Sequence, residues 1–225
     1  MFIAAAAFAS AASKGSDTVK ETRNLSGFTK VGFGVAGDLY INIGPEFKVV
    51  LEGEKSVLED IKTEVSGSKL IIKKDSWHTF DNGKITVWIT MPSLEGLGVS
   101  GSGKVEIRDG IRGSDLDLSV SGSGRISTSD LTIDRMDVSI SGSGDVYTGG
   151  GNVKKADISI SGSGNYNGET LVIEEADFSI SGSGGAKCNV TGNLEAHVSG
   201  SGSIIYSGSP KVDARVSGSG RVRSK

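Results

Sequence analysis

A five-residue phrase, a β-branched residue followed by Ser-Gly-Ser-Gly, occurs seven times, opening at Val99, Val120, Ile140, Ile160, Ile180, Val198 and Val216. The first serines stand at 100, 121, 141, 161, 181, 199 and 217, so the steps are 21, 20, 20, 20, 18 and 18 residues. A period near 20 is too long for a coiled coil and too short for a propeller blade. It is the length of one turn of a solenoid.

Superposing the copies exposes the strand chemistry. Four residues before the β-branched position stand Leu116, Met136, Ala156, Ala176, Leu194 and Val212; two before it stand Leu118, Val138, Ile158, Phe178, Ala196 and Ala214. Six after it come Val105, Ile126, Val146, Tyr166, Ala186, Ile204 and Val222. Even positions are apolar or Gly, and odd ones are polar or charged. That period of two is a strand with one buried face and contradicts a helix. The glycines fall where the interior must turn or narrow. A second apolar group (Leu131 and Ile133, Val153, Leu171 and Ile173) has the opposite parity, so a bend separates it from the main strand. Two or three short strands per coil, stacked coil over coil, predict a parallel β-helix, right-handed because parallel crossovers favour that hand. Seven coils at about 4.8 Å would make a rod roughly 30 Å long.

The totals agree with a repeat fold. Thirty-four glycines beside three prolines would suggest a disordered linker if they were aperiodic, but here they are periodic. The net charge of −3 and scattered basic residues do not suggest nucleic-acid binding. No apolar run reaches the length of a membrane-spanning helix. Residues 1–13, beginning Met1-Phe2-Ile3 and rich in alanine, read as the remnant of a secretory signal, with Ala9-Ser10-Ala11 as a cleavage site. The predicted location is therefore the periplasm, the outer-membrane surface or the medium. Residues 14–27 read as a flexible tether.

Residues 28–92 keep strand parity without the refrain: Val31, Phe33 and Val35; Leu39, Ile41 and Ile43; Phe47, Val49 and Leu51; Leu70 and Ile72; Ile85, Val87, Ile89 and Met91. Val57, Leu58 and Ile61 lie at helical spacing, which predicts one short helix over residues 54–61. This region is expected to form irregular coils that also cap the rod, continuous with the regular coils of 93–225. An uncovered terminal coil exposes ladder groups and invites association, and the C-terminal coil has little to cover it beyond charge. Oligomers through the solenoid ends are therefore expected.

Residues 28–44, 57–65 and 85–97, followed by the Ser-Gly-Ser-Gly coils, resemble a bacterial family described as putative auto-transporter adhesin, head GIN domain. The resemblance spans about 28–225. It implies a β-helical, exported protein of a kind common in Bacteroidetes-like bacteria, and it brings no accepted catalytic residues.

Chemistry is sparse. Gly98 to Lys104 fits most of a phosphate-binding loop, yet Val105 stands where a magnesium-binding Ser or Thr belongs and no helix follows. Three residues before each β-branched position come Asp117, Asp137, Asp157, Asp177, Glu195 and Asp213. Stacked about 5 Å apart, each neighbouring pair costs on the order of 1 kcal/mol in water before screening. Such a line is either a solvated face laced by the flanking Arg135, Lys155, Lys211 and Arg215, or a weak Ca²⁺ site, since Ca²⁺ prefers oxygen ligands. Acid-lined β-helices also include polysaccharide lyases and hydrolases. Those need a compact acid pair, and this line is uniform. Cys188 reads as a small core residue, and His78 and His197 as surface residues. No other cofactor is expected.

Trp77 and Phe80, in the loop before Ile85, either cap the rod or contact a ligand such as a sugar. Trp88 faces away from the core. The expected role is a non-catalytic envelope or surface module, adhesin-like, with a glycan or cell-envelope protein as partner. The alternatives are a carbohydrate-active enzyme and a Ca²⁺-stabilised carbohydrate-binding rod.

Overall fold

The computed structural model of the chain describes residues 18–75 and 83–225. Its N-terminal part contains β1 (Thr18–Arg23), β2 (Lys30–Gly34), β3 (Gly37–Ile43), β4 (Lys48–Glu54), α1 (Lys55–Glu59), β5 (Ile61–Ser66), β6 (Lys69–Lys74) and β7 (Ile85–Met91). The refrain region contains β8 (Gly96–Gly101), β9 (Lys104–Ile107), β10 (Ile111–Gly122), β11 (Arg125–Thr128), β12 (Leu131–Gly142), β13 (Asp145–Tyr147) and β14 (Gly151–Gly162). It ends with β15 (Asn165–Gly182), β16 (Gly185–Gly200), β17 (Ser203–Ser207), β18 (Lys211–Gly218) and β19 (Arg221–Ser224).

The refrain coils stack in register as parallel strands. Val120 pairs with Ile140, Ile140 with Ile160, Ile160 with Ile180 and Ile180 with Val198. The product is a parallel β-solenoid. Each regular coil has three faces. A short one carries Leu131 and Ile133, a long one carries Met136 to Ile140, and a second short one, past the glycine turn, carries Val146. The inward columns are buried up to β16, with Val120, Ile140, Ile160, Ile180 and Val198 each at most 2% exposed. Burying such a side chain is worth roughly 1.5–3 kcal/mol.

The two glycines of the refrain do different jobs. The first turns the chain: Gly142 has φ +112°, and a Cβ there would lie 2.6 Å from the carbonyl oxygen of Gly122 in the coil below. The second permits close approach: a Cβ on Gly124 would lie 2.6 Å from Val99 Cγ1 and 2.8 Å from the Gly103 oxygen. This intimacy lets the turns bond to one another, with Ser143 N–H donating to the Gly122 carbonyl at 2.9 Å and Ser163 N–H to the Gly142 carbonyl at 2.8 Å.

Volume is balanced between coils. Tyr166 is the largest residue in its column and is 1% exposed. It packs on Phe178 with ring centroids 5.9 Å apart, and its hydroxyl shares a 3.0 Å hydrogen bond with Thr148 Oγ1. Ala186 stacks beside it, and Gly168 leaves room for its hydroxyl. The shortening from 20 to 18 residues occurs at the corners of β15 and β16, where Gly168 pairs with Cys188 but Val172 already pairs with Asn189.

The N-terminal part departs from a simple succession of coils. The β2–β3 pair is inserted between two later segments: β2 pairs with β6 and β8, and β3 with β7 and β9, all parallel. Stacking order and chain order therefore differ there. β1, β4 and β5 run antiparallel to their partners, and together with α1 they close this end. The helix is shorter than its apolar spacing suggests, because Ile61 already opens β5. The reading of 14–27 as a tether is corrected for part of its length: Thr18–Arg23 is a strand paired with β4. Its polar, alternating composition suits an edge strand, where charged side chains discourage further pairing. Residues 1–13, read as a signal remnant, lie outside the described residues.

Gly142→Ala and Gly124→Ala are each expected to destabilise the fold by about 1–3 kcal/mol, the first through backbone strain and the second through overpacking. Ser141→Ala, on an exposed position of the same turn, should leave the thermal midpoint within a degree or so. Thermal unfolding followed by circular dichroism checks all three.

Candidate functional site

The six acids do form a single column. Asp117 pairs with Asp137, Asp137 with Asp157, Asp157 with Asp177, Asp177 with Glu195 and Glu195 with Asp213. Beside it run Asp115, Arg135, Lys155, Glu175, Asn193 and Lys211, also in register. Contacts of the acids with the flanking columns are long: Lys155 Nζ lies 3.9 Å from Asp157 on one side, and on the other, in the serine column, His197 Nδ1 lies 3.9 Å from Glu195 and Arg215 3.8 Å from Asp213. Exposed pairs of this kind contribute at most about 1 kcal/mol. Partial burial, followed by the charge of Asp157, raises the Asp137 carboxyl above its ordinary value, with Arg135 opposing. Asp177 is raised in the same way, by burial first and by Glu195 second. Among the described residues no group of three or more His, Cys, Asp or Glu side chains is arranged to hold a metal ion. The ladder is a line of neighbours, whereas Ca²⁺ takes six to eight oxygens around one point.

The second short face carries a different chemistry, which the sequence reading did not find. Its central outward column runs Trp88, Tyr40, Glu106, Ser127, Tyr147, Asn167 and Lys187 across neighbouring strands. Trp88 and Tyr40 stack with centroids 6.3 Å apart. Lys20 Nζ lies 5.1 Å from the Trp88 ring and the Arg108 guanidinium 3.9 Å from the Tyr40 ring, so a cation flanks each end of the aromatic pair. Three strands along, Tyr147 is 37% exposed, with Arg125 5.3 Å over its ring. Arg125 is held by Asp145 at 2.9 Å, and Asp145 also accepts from Asn165 Nδ2 at 3.1 Å. Hydrogen bonding to Asp145 raises the Arg125 guanidinium further above its ordinary value.

Between the two tyrosines in the column come Glu106 and Ser127. They line a hollow of about 350 Å³ together with Asp38, Tyr40, Lys104 and Arg125, and Tyr147 stands on the next strand beyond Ser127. At the strand spacing the tyrosines are roughly 14 Å apart. One alternation signal was available in advance, since Tyr40 and Tyr147 have outward parity. What linked them was hidden: β3 reaches β9 only through the inserted coil. A second hollow, about 450 Å³, follows the bend between the first two faces and is lined by Thr132, Asp134, Asn152, Lys154, Glu174 and Thr191. The sequence showed no cleft. This one is shallow, and Lys154 ties Asp134 at 2.7 Å.

A family model described as putative auto-transporter adhesin, head GIN domain, matches residues 27–210. The chain belongs to that family. Among solved structures, a putative adhesin from Bacteroides fragilis is similar at 26% identity, with 94% of this chain and 98% of that one covered and a TM-score of 0.84. A putative lipid binding protein from Parabacteroides distasonis (20% identity, 92% and 96% covered, TM-score 0.73) and a putative adhesin from Parabacteroides merdae (22%, 92% and 96%, 0.74) share the fold. No curated protein matches the chain significantly.

Trp77, Phe80 and His78 lie outside the described residues. Trp88 faces outward as its parity requires. Cys188 is 1% exposed, and burial pushes its thiol up to about 12. A thiol so placed is protonated and sheltered, and only the thiolate is a nucleophile. His197 occupies the serine column at the surface, beside Glu195. Among the described residues no helix is long and apolar enough to cross a membrane.

Two outcomes follow. Cys188 should stay unreactive toward an aromatic disulfide reagent in the native protein and react fully on unfolding, as read by absorbance. Asp137 and Asp177 have raised folded values, so the folded state binds their protons more tightly than the unfolded chain does. Their contribution is then complete below the ordinary 3.8 and is lost as pH rises through the folded value. Asp137→Asn is expected to raise the thermal midpoint at pH 7, by an amount that shrinks as pH falls toward 4 and is larger at low salt.

Proposed function

We propose that this chain is a non-catalytic, exported surface module that binds glycan across its second short face, with Tyr40 and Tyr147 bracketing the bound sugar. The observation that carries this reading is the hollow beside the outward Tyr40, with the outward Tyr147 one strand beyond its far side in the same column. Its floor and rim offer the acids Asp38 and Glu106 and the cations Lys104 and Arg125. Aromatic rings cover the apolar faces of a pyranose, while charged and amide groups take its hydroxyls. Binding sites commonly combine apolar walls with a few such placed polar groups. Strands hold these side chains more exactly than loops would.

Export and surface placement are supported by the apolar opening residues 1–13 and by relatives named as adhesins. The absence of catalysis is supported by the uniform line of the acids, which sets like beside like in place of the compact acid pair that polysaccharide hydrolysis uses.

A glycan array probed with the purified chain should show binding that Tyr147→Ala weakens about tenfold or more, as truncation of an aromatic anchor does. The thermal midpoint should hold, because this ring is partly exposed. Binding indifferent to both Tyr147→Ala and Tyr40→Ala would overturn the proposal, as would an array with no bound glycan. Release of reducing ends from any bound polysaccharide would replace it with an enzyme.

A further inference from the structure

Three large hydrophobic side chains are conspicuously exposed among the described residues, and two of them, Val212 at 38% and Val216 at 44%, belong to β18. Their counterparts one coil back, Leu194 and Val198, are 1% and 2% exposed. Every residue of β18 is exposed, Ala214 included, whereas Ala196 beneath it is fully buried. β18 is paired on one side only, to β16. The opposite end of the rod is finished differently. There α1 buries Val57 and Leu58, and the antiparallel edge strand β5 carries the ion pairs of Glu64 with Lys62 and Lys73 at 3.1 and 2.9 Å. Head-to-tail stacking would press the open coil against that closed one.

We propose that the open coil pairs with the same coil of a second copy, tail to tail, about a two-fold axis at Ala214. The sequence of β18 is self-complementary in this register. In an antiparallel pair centred on Ala214, Val212 faces Val216 of the partner subunit on the inner side, and Ala214 faces its own copy. On the outer side Asp213 meets the partner's Arg215 and Arg215 meets the partner's Asp213, while Lys211 meets the neutral Ser217. Centring on Asp213 instead would set Asp213 against itself and Lys211 against the partner's Arg215. Like charges directly opposite are destabilising and opposite ones favourable, so charge selects the first register. The two-fold also lays β19, with Arg221 and Arg223, over the neutral segment 207–210 of the partner. A two-fold interface uses one patch twice and closes, so the free ladder edge ends in a dimer and does not propagate into fibres. The proposal is independent of the glycan site, which lies along the side of the rod.

Sedimentation velocity of the 225-residue chain over about 1–200 μM should show a monomer–dimer equilibrium. Arg215→Asp places carboxylates opposite one another and should weaken the dimer at least tenfold; Asp213→Arg combined with Arg215→Asp restores opposite charges and should restore the dimer. Both side chains are about two-thirds exposed, so the fold should survive, as circular dichroism would show. Ala214→Cys reads the register directly. Facing Cα atoms in an antiparallel pair are about 4.5–5.5 Å apart, within disulfide range. This variant should cross-link on mild oxidation, Val212→Cys should not, and buried Cys188 should not compete. A chain that is monomeric throughout, a dimer indifferent to Arg215→Asp, or cross-linking through Val212→Cys in place of Ala214→Cys would each overturn the proposal.

Discussion

Backbone lies directly on backbone at the turn of every refrain coil, and the rest of the molecule follows from that contact. Gly122, Gly142, Gly162 and Gly182 all have φ near +115° and all stand over the carbonyl of the equivalent glycine below. Only a residue without Cβ satisfies the dihedral angle and the separation together. Once the turns sit this close, the hydrogen bonds of the flanking strands fall into parallel register, and side chains of matching position must stack. A buried column of Val and Ile and an exposed column of Asp are then consequences of one geometric demand. The inner column gains by stacking, and the outer one is strained by it.

That difference explains how much could be read in advance. A period of 20 with alternating parity identified the coils, their inward columns and the acidic line residue by residue, because in a solenoid the sequence step is the spatial step. The same reasoning could not place β2 and β3 between segments 39 to 66 residues further on, since nothing local in Lys30–Ile43 names its neighbours. The Tyr40–Tyr147 hollow was lost with it. Tyr40 and Tyr147 are far apart in sequence, and the path that joins them crosses the inserted coil. Thr18–Arg23 reads as a tether in sequence because polar alternation at a sheet edge has no apolar stripe to announce it.

Two surfaces with opposite tendencies thus share one rod. The long face holds like charges in line, which favours dilution of charge by solvent and salt. The second short face carries cations beside aromatic rings, with Arg108 on Tyr40 and Arg125 on Tyr147, where the positive charge is attracted to the ring. The chain shares this scaffold with the adhesin-named family to which it belongs.

The inserted β2–β3 coil has a consequence for how the chain reaches its native state. Its partners on one side are β6 and β7 and on the other β8 and β9, so residues 30–43 have no complete berth until synthesis has passed residue 107. The refrain coils, by contrast, close over a step of about twenty residues and are satisfied by the neighbour made just before. Loop-closure entropy makes such distant pairings slower than short ones. Residues 30–43 are therefore made well before they can be locked, and leave the ribosome as waiting strands, exposed until β6 to β9 arrive.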